Sequence, residues 1–121
     1  MKRATLTLLM ALAAITVYGA NTPRYYMEHD PINPYRLNIY DMTGRFTGFR
    51  ERDVINELVI TEYDAYGMVT GYEIKRGPGS EAAELFDAFH RLTGYKQVYG
   101  PNPHVILILN KYGTQKGYEV I

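Results

Sequence analysis

The segment Tyr40-Asp41-Met42-Thr43-Gly44-Arg45-Phe46-Thr47-Gly48-Phe49 returns 23 residues later as Tyr63-Asp64-Ala65-Tyr66-Gly67-Met68-Val69-Thr70-Gly71-Tyr72. Five of the ten positions are identical, and Phe49 is answered by Tyr72. A further 46 residues on, Leu109-Asn110-Lys111-Tyr112-Gly113-Thr114-Gln115-Lys116-Gly117-Tyr118 keeps both glycines and the aromatic. Glu73-Ile74 and Glu119-Val120 extend the match. A fixed period of this length means one supersecondary unit built several times.

The unit reads as a β-hairpin. An extended segment (Leu37 to Tyr40, Leu58 to Thr61, Val105 to Leu109) runs into Asp or Asn, which bonds its own backbone and starts a turn. Gly three positions later supplies the positive φ that closes the loop. Three hairpins follow, centred near residues 43, 66 and 112, with turns formed by Asp41, Gly44, Asp64, Gly67, Asn110 and Gly113. Gly48, Gly71 and Gly117 fall inside the return strands, where Gly marks a bulge or a close backbone approach.

At the intermediate offset, Phe86 to Tyr95 also lines up, sharing Asp, Ala, Thr, Gly and Tyr with the second unit. A competing pattern covers the same stretch. Ala82, Leu85, Phe86, Phe89 and Leu92 recur at helical spacing, Ser80 suits an N-cap, Glu81 and Glu84 suit the positive helix end, and Gly94 suits a C-terminal stop. His90 stands where the hairpin needs its turn glycine. These signals predict a helix over about 81–92. The expected fold is therefore α+β: an antiparallel sheet of about three hairpins with one inserted amphipathic helix. Val105 to Leu109 is apolar at every position, which predicts a strand covered on both faces. The Pro-containing stretch 21–34 reads as an irregular lead-in, and 35–121 as a single domain.

The chain opens with Lys2-Arg3 and an uncharged run from Ala4 to Ala20. A basic start, an apolar run and small residues at its end form the pattern of a secretory signal peptide over 1–20, cleaved after Gly19 or Ala20. Three threonines interrupt the run, so no stable membrane span is expected once it is removed. About 101 residues then remain, with 11 basic against 13 acidic side chains, and no polyanion-binding surface for nucleic acid is expected. The chain has no Cys, which excludes a disulfide framework, a thiolate metal site and a lipidated Cys. An exported domain held by packing alone points to a bacterial periplasm or cell surface. Tyr, at 12 residues, stands at about three times its usual share, and much of the excess lies on repeat positions.

Tyr40-Asp41-x-x-Gly44-Arg45-x-Thr47 and Tyr63-Asp64-Ala65-x-Gly67-x-x-Thr70 resemble the tyrosine–aspartate repeats of bacterial RHS-type surface and toxin-delivery proteins. That resemblance implies export and β-hairpin geometry. It does not carry over the family's encapsulating shell, because about 101 residues enclose too little, and the last unit has Leu109-Asn110 in place of Tyr-Asp.

Signals for chemistry are sparse. Glu28-His29-Asp30 is the densest polar group and offers ligand types for a divalent metal or a base, although neighbours on an extended chain point to opposite sides. His90 and His104 are solitary. Lys75-Arg76-Gly77-Pro78-Gly79-Ser80 sits where a phosphate cradle would, yet Pro78 removes an amide and no Gly-Lys-Ser/Thr follows. Ser80 is the only Ser, without a nucleophile motif around it. Arg50-Glu51-Arg52-Asp53 alternates in sign and reads as a solvated strand end. No cofactor is implied. The expected role is a non-catalytic binding or structural module for a protein partner or a second copy, with Tyr66 and Tyr112 as the exposed contact residues. The alternatives are a small exported enzyme, metal-dependent through Glu28, His29 and Asp30, and binding of cell-wall glycan by exposed Tyr.

Overall fold

The computed structural model describes residues 16–19 and 22–121, with side chains from Tyr25 onward. The leader expected over 1–20 lies outside the described residues except for 16–19. From Thr22 the chain is a meander of nine antiparallel strands in one curled sheet: β2 (Thr22–His29), β3 (Arg36–Asp41), β4 (Phe46–Arg52), β5 (Val59–Asp64), β6 (Val69–Lys75), β7 (Ala83–Asp87), β8 (Leu92–Val98), β9 (Val105–Asn110) and β10 (Gln115–Val120). Four residues at the end of the expected leader, β1 (Thr16–Gly19), pair with both β2 and β10 and close the sheet into a barrel. The described residues contain no helix, so the fold is all-β.

Residues 86–95 accordingly form a hairpin, and the expected helix over 81–92 is overturned. Asp87 takes the place of Asp41, Asp64 and Asn110. In all four turns its side-chain oxygen accepts from the backbone N–H groups two and four residues ahead. The position closing each turn has positive φ: Gly44 (90°), Gly67 (84°), His90 (65°) and Gly113 (89°). His90 thus adopts a left-handed conformation that favours Gly, and its ring stacks on Tyr72 at 4.3 Å between centroids. The apolar spacing was compatible with a helix, but β6 and β9 both need a hydrogen-bonded neighbour. The pairs Tyr72↔Phe86 and Tyr95↔Leu109 supply one on each side, and open edges are costly. Ser80 caps no helix; its Oγ accepts from the Ala82 N–H inside the β6–β7 loop. The lead-in expected over 21–34 is also corrected, since Thr22–His29 is a full strand.

Each return strand shifts register at its glycine, as the bulge reading anticipates for Gly48, Gly71 and Gly117. Gly94 belongs to the same series. A β-carbon on Gly94 would overlap the Leu109 carbonyl oxygen on β9, so the strands approach at a distance that only Gly permits. Strand alternation sends these glycines inward and the aromatics after them outward. The outer face carries Tyr26, Phe49, Tyr72, Tyr95 and Tyr118 at 23-residue intervals. Among these, Phe49 stacks on Tyr63 (4.6 Å) and Tyr26 on Tyr40 (5.4 Å). The apolar strand Val105–Leu109 is buried or half-buried throughout. It has Ile106 and Ile108 inside, and Leu107 and Leu109 outside opposite Tyr118 and Tyr95. The curled sheet therefore covers it.

His90→Ala is expected to cost about 1 kcal/mol in chemical unfolding, because the ring stack is lost while the strained φ remains. His90→Gly relieves the strain and is expected within about 0.5 kcal/mol of the parent. Gly94→Ala is expected to cost about 2 kcal/mol by overpacking, whereas Gly100→Ala, with open space around it, is expected to be neutral within about 0.5 kcal/mol.

Candidate functional site

The 23-residue period acts on the inside of the barrel as well as the outside. One position series, Met27, Arg50, Glu73, Lys96 and Glu119, sits two residues after the inward-facing position of each return strand (Tyr25, Gly48, Gly71, Gly94, Gly117). All five members of the series are buried. Four of them are charged and alternate in sign around the ring. The Arg50 guanidinium pairs with Glu73, and its Nε lies 3.2 Å from Glu62 on β5. Lys96 Nζ lies 2.9 Å from Glu73 and 3.0 Å from Glu119. Together they form one continuous line, Glu62–Arg50–Glu73–Lys96–Glu119, across five strands.

Burial sets the electrostatics of this layer. Desolvation alone would raise the Glu73 carboxyl, but the Arg50 and Lys96 charges outweigh it and lower its pKa from 4.5 to about 2. Desolvation would likewise lower Arg50, and Glu73 followed by Glu62 hold it above its usual range instead. Tyr25 stands where the later repeats have glycine, and burial, reinforced by Glu119, pushes its hydroxyl above its usual range. Unpaired, such charges would cost several kcal/mol each; the four buried members Arg50, Glu73, Lys96 and Glu119 instead form a floor in which they neutralise one another, with the half-exposed Glu62 joined at one end.

Above and below this floor the barrel has two unlike ends. The turn end carries the hairpin turns of β3–β4, β5–β6, β7–β8 and β9–β10. There Tyr66, Phe89 and Tyr112, one repeat apart, are 92, 77 and 81% exposed. Arg91 lies 5.3 Å over the Phe89 ring and Lys111 Nζ 5.4 Å over the Tyr112 ring. The turn aspartates beside them are spent as acceptors. A hydrogen bond from Thr43 holds Asp41 below the usual carboxylate range, and one from the Arg91 backbone does the same for Asp87. The loop end carries the β2–β3, β4–β5, β6–β7 and β8–β9 connections. It opens into a cavity of about 300 Å³ that reaches down to the charged floor.

The residues expected from the sequence are placed as follows. Tyr66 and Tyr112 are both exposed at the turn end, joined by Phe89, which the helical pattern hid. Glu28 is buried on the outer side of β2 opposite Asn38, His29 is exposed, and Asp30 is a loop acceptor for the Ile32 and Asn33 N–H groups. Hydrogen bonds from the Asn33 backbone and the Asn38 side chain hold Asp30 below its usual range. His104 lies at the loop end and His90 at the turn end. Among the described residues, no group of three or more His, Asp or Glu is placed to hold a metal ion. Arg50, read as part of a solvated strand end, is instead buried in the ion-pair line. The signal for it was present: charge recurs at 50, 73, 96 and 119, but with alternating sign, so identity matching passes over it.

Glu73→Gln leaves Arg50 and Lys96 facing a neutral group, and unfolding is expected to show a loss of about 3 kcal/mol. Because the folded carboxyl ionises at about 2 and the unfolded one at 4.5, its contribution is fully present above about pH 4.5. It is lost as pH falls toward 2. Stability measured against pH is expected to fall across that window in the parent and less steeply in the Glu73→Gln variant.

Comparisons with protein families, curated proteins and solved structures return no significant match for this chain, so its function is read from the geometry above.

Proposed function

We propose that this protein is an exported, non-catalytic binding module that engages a protein partner through the turn end of the barrel. One observation carries the reading: Tyr66, Phe89 and Tyr112 occupy the same repeat position and remain exposed on neighbouring turns. Three large rings left in water at one end are the composition of a contact surface. Their backbones are held by Asx hydrogen bonds, so little ordering cost remains on binding. Aromatic rings with two rotatable bonds add contact area at low entropy cost, and the adjacent cations supply a polar rim. Met42 and Met68 flank the rings, 54 and 66% exposed, and add an adaptable apolar border.

Export to a periplasm or cell surface belongs to this proposal. The Lys2-Arg3 start, the uncharged run to Ala20 and the absence of Cys support it, as does the likeness of the Tyr-Asp hairpins to repeats of exported RHS-type proteins. The partner is a second protein, or another copy of this chain.

The triple variant Tyr66→Ser, Phe89→Ser, Tyr112→Ser is expected to unfold within about 0.5 kcal/mol of the parent, since all three side chains are solvated. Proteins from an envelope extract that bind the immobilised parent are expected to be lost with this variant. They are expected to be kept by a control with Ile32, Val54 and Ile55 changed to Ser at the loop end. Loss with both, or retention with both, removes the turn end as the contact. N-terminal sequencing of the chain recovered outside the cytoplasm is expected to begin at Ala20 or Asn21, and a start at Met1 counts against the leader; such cleavage takes β1 away and leaves a nine-stranded curled sheet with β2 and β10 at its edges.

A further inference from the structure

The opposite end of the barrel carries a second site, independent of the aromatic rim. Two residues beyond the charged floor on each return strand, alternation brings a further series inward: His29, Arg52, Lys75 and Val98. Three neighbouring repeats thus present an imidazole, a guanidinium and an ammonium at one level of the mouth. His29, Arg52 and Lys75 all line the cavity of about 300 Å³. Its apolar lining is Leu37 on β3 and Ile60 on β5, which flank β4, with Leu58, Pro34 and Pro78 from the loops.

The charges in this mouth are not evenly matched. Lys75 Nζ donates to the Ser80 carbonyl at 3.0 Å and lies 3.9 Å from Glu81. Below, Arg50 and Lys96 are committed to Glu73 and Glu119. Glu57 lines the cavity from the β4–β5 loop. Among the described residues, no carboxylate lies within ion-pair distance of Arg52, whose guanidinium stands 5.7 Å over the Tyr35 ring. A planar cation with its donor fork free, at the lip of an apolar hollow, is suited to a carboxylate.

We infer that the loop-end mouth is a binding site for a small amphipathic carboxylate. Its charged head is held by Arg52, with Lys75 and His29 beside it, and its short apolar body packs against Leu37, Leu58 and Ile60. The volume lies at the lower end of the range for ligand pockets, which limits the apolar body to a short chain.

The test is titration of the full chain with octanoate, 1-octanol and acetate, followed by amide chemical shifts and calorimetry. Octanoate is expected to shift amides of His29, Leu37, Arg52, Ile60 and Lys75, and to bind at least tenfold more tightly than either control. Arg52→Gln, a solvated side chain whose replacement leaves the ion-pair floor intact, is expected to weaken octanoate about tenfold and leave 1-octanol unchanged. Equal binding of octanoate and 1-octanol overturns the cationic half of the site, and equal binding of octanoate and acetate overturns the apolar half. Shifts confined to the turn end, or no octanoate binding at millimolar concentration, overturn the site as a whole. The Tyr66, Phe89, Tyr112 triple variant is expected to bind octanoate as the parent does, so failure at one end is separable from failure at the other.

Discussion

A line of ion pairs, buried from Arg50 through Glu73 and Lys96 to Glu119 and ending on the half-exposed Glu62, runs across the inside of this barrel, and much of the architecture is arranged around it. Charges removed from water must be neutralised by neighbours. Apart from Glu62, which reaches Arg50 from the adjoining strand β5, the neighbours come from alternate strands, a full repeat apart in sequence. The sheet must therefore curl until side chains on return strands that never pair directly come within ion-pair distance. The inward glycines make this possible by letting strands pack closely and by leaving room at the level above, where Tyr25 reaches into the same electrostatic network. The Coulomb coupling of the floor and the steric allowance of the glycines are parts of one solution.

That floor also separates the two ends. Its four buried members, Arg50, Glu73, Lys96 and Glu119, balance in charge and are held in ion pairs with one another. Both proposed surfaces are built by side chains beyond it. At the turn end, the Asx turns consume every aspartate and push aromatic tips outward. At the loop end, the same period places His29, Arg52 and Lys75 inward, and Glu57 and Glu81 join the lining from the loops. A single repeated unit thus yields two chemically different ends, because its outgoing and return strands terminate in different residues.

The hairpins at 43, 66 and 112 were legible because their determinants are local: an Asp or Asn acceptor, and a glycine at positive φ three residues on. The bulges at Gly48, Gly71 and Gly117 were legible for the same reason. The hairpin at 86–95 was not, because His90 replaces the glycine and Leu85, Phe86, Phe89 and Leu92 also fit a helical stripe. What decides it, the pairing needs of β6 and β9, lies outside the segment. Tyr66 and Tyr112 could be named as exposed from their turn positions, while Phe89 was concealed by the helix. Arg50 and its partners escaped notice because the conserved property is the presence of charge, with its sign reversed at each step.

The sequence by itself determined the period, the turn chemistry and the in–out alternation of each return strand, since all of these act within a few bonds along the backbone. Only the tertiary structure decided that residues 86–95 form a hairpin and that the alternating charges meet. It also decided that β1 lies between β2 and β10, and that His29, Arg52 and Lys75 share a mouth. Those outcomes depend on which strands become neighbours when the sheet curls. Strand pairing between residues such as Tyr72 and Phe86, and charge neutralisation between residues 23 positions apart, arise only when those strands come together.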